Sequence, residues 1–255
     1  MKHDEIKAVL FDLGDTILEF GRVNKIKAFF AGAKSTYAFL KNHGQPVSSF
    51  PWYFLRNLVR LRTKSLVSHV LRKDFDSLYL LQTVGVRLGV SFSPEQWEQF
   101  AWLWYEPLSR YAKIEEGLVQ TLETLTRMGL KLGIVSNTFV NRTSLQRHLR
   151  ELGLLEFFSM QLYSYELHVR KPSPEIFRVA AERIGEPAWK VLFVGDRIDK
   201  DIRPALQGGM RAVLKEAYTN TGRKAPQGTL KICRLAELPA LIERINASQT
   251  QTSLA

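Results

Sequence analysis

Residues 7–18 read KAVLFDLGDTIL, and the rest of the chain is interpreted outward from them. The apolar run AVLF ends abruptly in two aspartates three positions apart, Asp12 and Asp15, with Gly14 between them. A short continuous apolar run suits a strand buried on both faces. A carboxylate at the end of such a strand is costly to desolvate unless it caps a turn, holds a metal or reacts. This stretch alone leaves all three readings open.

Four further runs of the same kind follow much later: KLGIVSN at 131–137, MQLYS at 160–164, KVLFVGD at 190–196 and RAVL at 211–214. Helical patterns near 117–128, 144–152, 174–184 and 202–207 separate them. Strands alternating with helices in this way imply an α/β fold, a doubly wound parallel sheet covered on both faces. Between the first strand and the second, residues 22–110 show only helical spacing, over 25–40, 52–71, near 75–88, and from a start at Ser93 and Pro94. We therefore expect a Rossmann-like core made of residues 1–21 and 111–255, interrupted by an all-helical insertion at 22–110.

The 255 residues are 45% apolar and 24% charged, ordinary for a globular protein, so disorder is expected only in the polar tail at 247–255. There is a single cysteine, Cys233, and the first residues lack a signal-peptide layout. A reducing, cytoplasmic setting is the expectation. No window approaches 18 uncharged apolar residues, so no transmembrane segment is expected. The net charge of +11 is concentrated: residues 21–73 hold eleven Lys or Arg and no acid. Three readings of that basic stretch are carried forward in order of preference: a solvated helix face, attraction of an anionic substrate, and contact with a nucleic acid or an anionic membrane. The sequence carries no signal for an oligomeric state.

In open α/β sheets ligands bind outside the carboxyl ends of the strands. Those ends supply Asp12 to Thr16, then Ser136, Asn137 and Thr138, then Gly195 and Asp196, with Asp201 five residues further on. Lys171 arrives from VRKPSPEIF, in a loop just before a helix. A carboxylate nucleophile, hydroxyl and amide donors, one ammonium and acids for a hard cation form an inventory suited to phosphoryl transfer.

With these residues in order, the sequence resembles the haloacid dehalogenase-like hydrolases. The segments VLFDLGDTIL, LGIVSNT, RKPSPEIF and VGDRIDKDI match that family's four motifs, and the helical insertion is similar to its cap. The resemblance implies Asp12 as the nucleophile and Ser136 as a hydrogen-bond donor to the phosphoryl group. It implies Asn137 as part of the substrate pocket and Lys171 as the cation that stabilises both nucleophile and phosphoryl oxygens. Mg²⁺ would be held by Asp12, the Gly14 carbonyl, Asp196 and Asp201, although Asp201 also reads as a cap for the following helix. The implied partner is a small phosphorylated substrate.

One position departs from the pattern. Family phosphatases usually carry a second aspartate two residues after the nucleophile, as general acid and base, and here that residue is Gly14. Such a group is worth roughly 10²–10⁴-fold in rate. Asp15, one place further on, reads as a turn residue rather than a substitute. Two functions follow: a Mg²⁺-dependent phosphatase, slow on poor leaving groups, or a weakly catalytic phosphate-binding protein whose basic insertion meets an acidic partner. Retained acids in GDRIDKD weigh against dehalogenation, which in the family needs no metal. Arg197 and Asp199 read as surface residues, Thr16 as structural or supporting the loop. His3, His43, His69, His148 and His168 show no metal-ligand spacing.

Overall fold

The computed structural model describes residues 5–167, 169–227 and 229–252, so His3, His168 and the end of the polar tail lie outside the described residues. Strand β1 (Ala8–Phe11) is buried along its whole length. It pairs in parallel with β2 (Lys131–Ser136) on one side and β4 (Val191–Gly195) on the other. β3 (Met160–Tyr163) lies outside β2, while β5 (Arg211–Lys215) and then β6 (Leu230–Ile232) extend the other edge. The order 3-2-1-4-5-6 is that of a doubly wound sheet. It reverses at β1, which is where such sheets open a binding crevice at their carboxyl ends.

The helices are α1 (Lys25–Asn42), α2 (Phe50–Leu71), α3 (Ser77–Arg87), α4 (Pro94–Ser109), α5 (Leu118–Arg127), α6 (Arg142–Glu151), α7 (Ser164–Leu167), α8 (Glu175–Ile184), α9 (Arg203–Gln207) and α10 (Leu238–Thr252). The chain divides into two compact units. One takes the residues up to Phe20, Lys113–Asn137 and the chain from Leu152 onward; the other takes Gly21–Ala112 and Thr138–Glu151.

In the α/β unit, side chains alternate across the sheet with the period of two that a strand imposes. Ala8 and Leu10 join Val135, Leu162 and Phe193 against α8, whose Ile176, Phe177 and Ala180 are fully buried. Val9 and Phe11 therefore point to the opposite face, and Phe11 meets Phe158 edge to face. Strand β6 and helix α10 complete this unit beyond the elements read from sequence. The tail expected to be disordered continues as helix through Thr252.

The helical unit is built on α1 against α4, and its core holds Ala33, Leu40, Tyr53, Trp97 and Phe100. The buried Tyr53 hydroxyl donates to Thr36 Oγ1 at 2.9 Å. Ser93 caps α4 as its sequence predicts: its hydroxyl accepts from Gln96 N, and the Gln96 side chain accepts from Ser93 N. Helix α6, read from sequence as one of the sheet-covering helices, packs on α4 instead. The Arg147 guanidinium lies 4.2 Å from the Trp102 ring centroid, and its Nη1 donates to Gln99 Oε1 at 2.9 Å. Buried His148 meets the Tyr105 hydroxyl through Nδ1 at 3.0 Å, and burial lowers its pKa. A cavity of about 380 Å³, walled by residues such as Phe29, Leu61, Leu81 and Trp104, lies entirely within this unit and includes none of the strand-end acids.

Candidate active site

Asp12 follows β1 directly, and its backbone N–H donates to Val194 O of β4 at 2.9 Å, so the neighbouring strand fixes its direction. Asp196 follows β4 by one residue, and Asp201 lies in the π-helical turn Ile198–Ile202. Carboxylate oxygens of Asp12, Asp196 and Asp201 all lie within 4.8 Å of one another, and all three residues are buried. The wide turn makes this possible: Asp201 N donates to Arg197 O at 2.8 Å, and Arg197 N donates back to Asp201 Oδ2 at 2.9 Å. Gly195 supplies the space. A Cβ there would stand 2.6 Å from Asp201 Cβ, so only glycine lets the second acid fold back against the strand end.

Lys171 is 3% exposed and lies between two of these acids. Its ammonium donates to Asp12 Oδ1 and, at 2.6 Å, to Asp201 Oδ1. Asn137 sets its position: the Lys171 N–H donates to Asn137 Oδ1 at 2.8 Å, and Asn137 Nδ2 donates to Lys171 O at 2.7 Å. Both ends of the Asn137 amide are thus committed to the lysine's backbone. Ser136 ends β2 and is buried, and its hydroxyl makes no hydrogen bond among the described residues.

Burial dominates the electrostatics. It pushes the Asp12 pKa up to about 7, with Lys171 pulling down and Asp201 and Asp196 adding to the rise. The Asp196 carboxyl is also raised, by burial first. Lys171 is held protonated above its usual range by Asp12 and Asp201, against its own burial. Counted fully ionised, three carboxylates against one ammonium leave an excess of two negative charges in a buried pocket. Oxygen donors with that excess fit a hard divalent cation such as Mg²⁺.

Asp196 is held by residues that reading the sequence did not single out. Thr219 Oγ1 donates to its Oδ2, and Asn220 Nδ2 bridges Asp196 O and Lys215 O at 2.8 Å each. Thr16, buried, reaches Asp196 Oδ1 at 3.4 Å. Thr219 and Asn220 follow β5, so the strand-end rule, carried one strand further, reaches them. Asp15 sits in the left-handed region with φ 58°. Its carboxylate accepts from Phe20 N at 3.0 Å and from the Tyr218 hydroxyl at 2.9 Å, holding the loop after Gly14. At Gly14 itself φ lies outside the left-handed region, and a Cβ would meet nothing within 4 Å. Arg197 pairs with Asp199 at 3.1 Å, and that bond, with the charges of Asp199, Asp196 and Asp201, raises its pKa.

A fold with its crevice at β1 and β4, three acids and a lysine converging there, defines the class, and the family model for haloacid dehalogenase-like hydrolases matches residues 6–209. The chain belongs to that family of hydrolases. It is 31% identical over 214 residues to a glyceraldehyde 3-phosphate phosphatase of Methanopyrus kandleri, covering 82% of this chain and 83% of that one. Over 132 residues it is 35% identical to a pyrimidine 5′-nucleotidase of Escherichia coli, covering 49% of this chain and 55% of the relative. The crystal structure of a phosphatase of this family from Thermococcus onnurineus shares the fold, with a TM-score of 0.57 at 22% identity over 93% of this chain and 98% of that one.

Proposed function

We propose that the protein is a Mg²⁺-dependent phosphatase that hydrolyses a small phosphate monoester through an aspartyl-phosphate at Asp12. One observation carries this reading: Lys171 bridges Asp12 and Asp201 at the strand ends, with Asp196 oxygen within 4.8 Å of both acids. The relatives named as phosphatases support the substrate class.

With Oδ1 taken by Lys171, the Oδ2 of Asp12 has no hydrogen-bond partner among the described residues and is the oxygen placed to attack. It forms a bond to phosphorus as the ester P–O bond breaks, and the leaving oxygen takes its proton from water or from the substrate. Water then attacks the same phosphorus, the Asp12–phosphate bond breaks, and inorganic phosphate departs. Ser136 donates to a phosphoryl oxygen, and Lys171 offsets the charge on nucleophile and phosphoryl group through both steps. Asn137 acts as a positioning residue for Lys171. Asp12, Asp196, Asp201 and the Gly14 carbonyl would hold Mg²⁺, which when bound supplies positive charge for the phosphoryl oxygens. By resemblance to the family, residues 22–110 would serve as its cap. The single cysteine supports a reducing, cytoplasmic setting. No described helix is long and apolar enough to cross a membrane.

A second reading, a phosphate-binding protein of weak turnover with an acidic partner, rests on Gly14 alone. Both are tested by Mg²⁺-dependent hydrolysis of an aryl phosphate and an alkyl phosphate, beside Asp12→Asn and Gly14→Asp. The phosphatase reading expects parent turnover of the aryl ester, its loss in Asp12→Asn, and a gain on the alkyl ester in Gly14→Asp, where a side chain has room. Phosphate binding without turnover of either ester favours the second reading.

A further inference from the structure

Helix α2 carries apolar residues on two faces, and only one of them is used inside the protein. At about 100° per residue, Trp52, Leu55, Val59, Leu66 and Val70 fall within an arc of about 60°, whereas Tyr53, Phe54, Leu58 and Leu61 point the other way. The second set is buried or half-buried in the helical unit. The first set is exposed along the whole helix, with Leu66 and Val70 leaving 65% and 70% of their surface in water. From Trp52 to Val70 this ridge is about 27 Å long. An apolar stripe of that extent on a solvent face marks an interaction surface.

Charge narrows what covers it. Arg62 borders the ridge, Lys64 lies further round the same exposed end of the helix, and residues 21–73 contain no acid to neutralise them. Arg56 and Arg60 are turned toward the helical unit instead: both are half-buried and line its cavities, with Arg56 Nε and Arg60 Nη1 buried. Two copies meeting ridge to ridge would crowd Arg62 and Lys64 together with their counterparts, which disfavours self-association. Nucleic acid would satisfy the bases but leave the apolar ridge without a role. A lipid surface satisfies both, since phosphates and acidic headgroups overlie the acyl region. A tryptophan at one end of the ridge and long basic stems beside it suit the same boundary.

We propose that the outer face of α2 seats on an anionic membrane surface, with Trp52, Leu55, Val59, Leu66 and Val70 in the headgroup–acyl boundary and the exposed Arg62 and Lys64 reaching lipid phosphates and acidic headgroups. The helix lies on the membrane rather than spanning it.

The test is co-sedimentation of the full chain with phosphatidylcholine vesicles, with and without phosphatidylserine. Binding is expected to the serine-containing vesicles, reduced about tenfold or more by high salt. Leu66→Gln with Val70→Gln removes the apolar half of the site, and Arg62→Gln with Lys64→Gln the charged half. Each pair is expected to lower binding about tenfold with phosphatase activity in solution unchanged, since all four residues are exposed and lie outside the catalytic cluster. Failure to bind phosphatidylserine vesicles, or equal binding to neutral ones, overturns the proposal. So does capture of polyglutamate or DNA without vesicle binding, or a dimer that buries the ridge.

Discussion

Gly195→Ala places the heaviest demand on the site from the smallest change. The added Cβ would lie 2.6 Å from Asp201 Cβ, 2.7 Å from its Cγ and 2.7 Å from its Oδ2. Carbon atoms rest near 3.5–4.0 Å, so Asp201 must retreat by roughly 1 Å. Its Cβ is anchored to the main chain, so the π-helical turn moves with it and the bonds to Lys171 Nζ and Arg197 N lengthen beyond useful range. Overpacking costs about 1–3 kcal/mol, and one charge-assisted hydrogen bond about 1.5–3 kcal/mol. A destabilisation of about 3–5 kcal/mol follows, which lowers the melting temperature by roughly 6–20 °C for a chain of this size. Gly14→Ala is the matched control, because its Cβ meets nothing and it is expected to stay within about 1 kcal/mol of the parent. Thermal melts and calorimetric Mg²⁺ titration of both variants are the assays. Equal melting temperatures and equal Mg²⁺ affinities would refute the reasoning that Gly195 exists to admit Asp201.

Thr219→Val removes a hydroxyl from Asp196 while keeping its shape, so Mg²⁺ affinity is expected to change more than stability, which should fall by about 1–2 kcal/mol; unchanged Mg²⁺ titration would return Thr219 to a loop role. The helical unit should lose stability in acid because of His148. Its folded pKa is lowered by burial, so the unfolded chain takes up a proton first as pH falls through 6.5, at up to about 1.4 kcal/mol per pH unit until the folded pKa is reached. Denaturant melts of His148→Phe between neutral and mildly acid pH should show that slope removed, and an unchanged slope would mean His148 is charged in the native protein.

Two of the three clustered acids were legible because each directly follows a strand, and strand ends are marked in sequence by an abrupt change from apolar to polar. Asp12 after AVLF and Asp196 after VLFVG are of this kind. The strand-end rule carried to β5 points to the segment holding Thr219 and Asn220, but they lie several residues past the strand, where nothing local separates a residue that holds Asp196 from one that faces water. Asn137 was visible as a site residue, but its orientation was not. Only the position of the Lys171 backbone shows that its amide faces the lysine. Helix α6 has the apolar spacing of a sheet-covering helix, and the same Leu145 and Leu149 serve equally well against α4.

Periodicity has a further limit, and α2 shows it most clearly. Residues 52–71 satisfy helical spacing twice over, because one set of apolar positions is offset from the other by about half a turn. Neither set is marked as the inner one by its own composition, since both mix aromatic with aliphatic residues. The choice is made by a partner helix: Thr36 on α1 accepts the Tyr53 hydroxyl, and with Tyr53 turned inward every residue of the other set faces out. A single buried hydrogen bond thus helps determine which apolar stripe fills the core and which meets water. A basic stretch that reads from sequence as a solvated face becomes, with that choice made, an apolar ridge with the exposed bases Arg62 and Lys64 at one end. Hydration of Leu66 and Val70 opposes leaving it bare, and the absence of acids opposes covering it with a copy of itself. What satisfies both conditions is an anionic surface with an apolar layer beneath it.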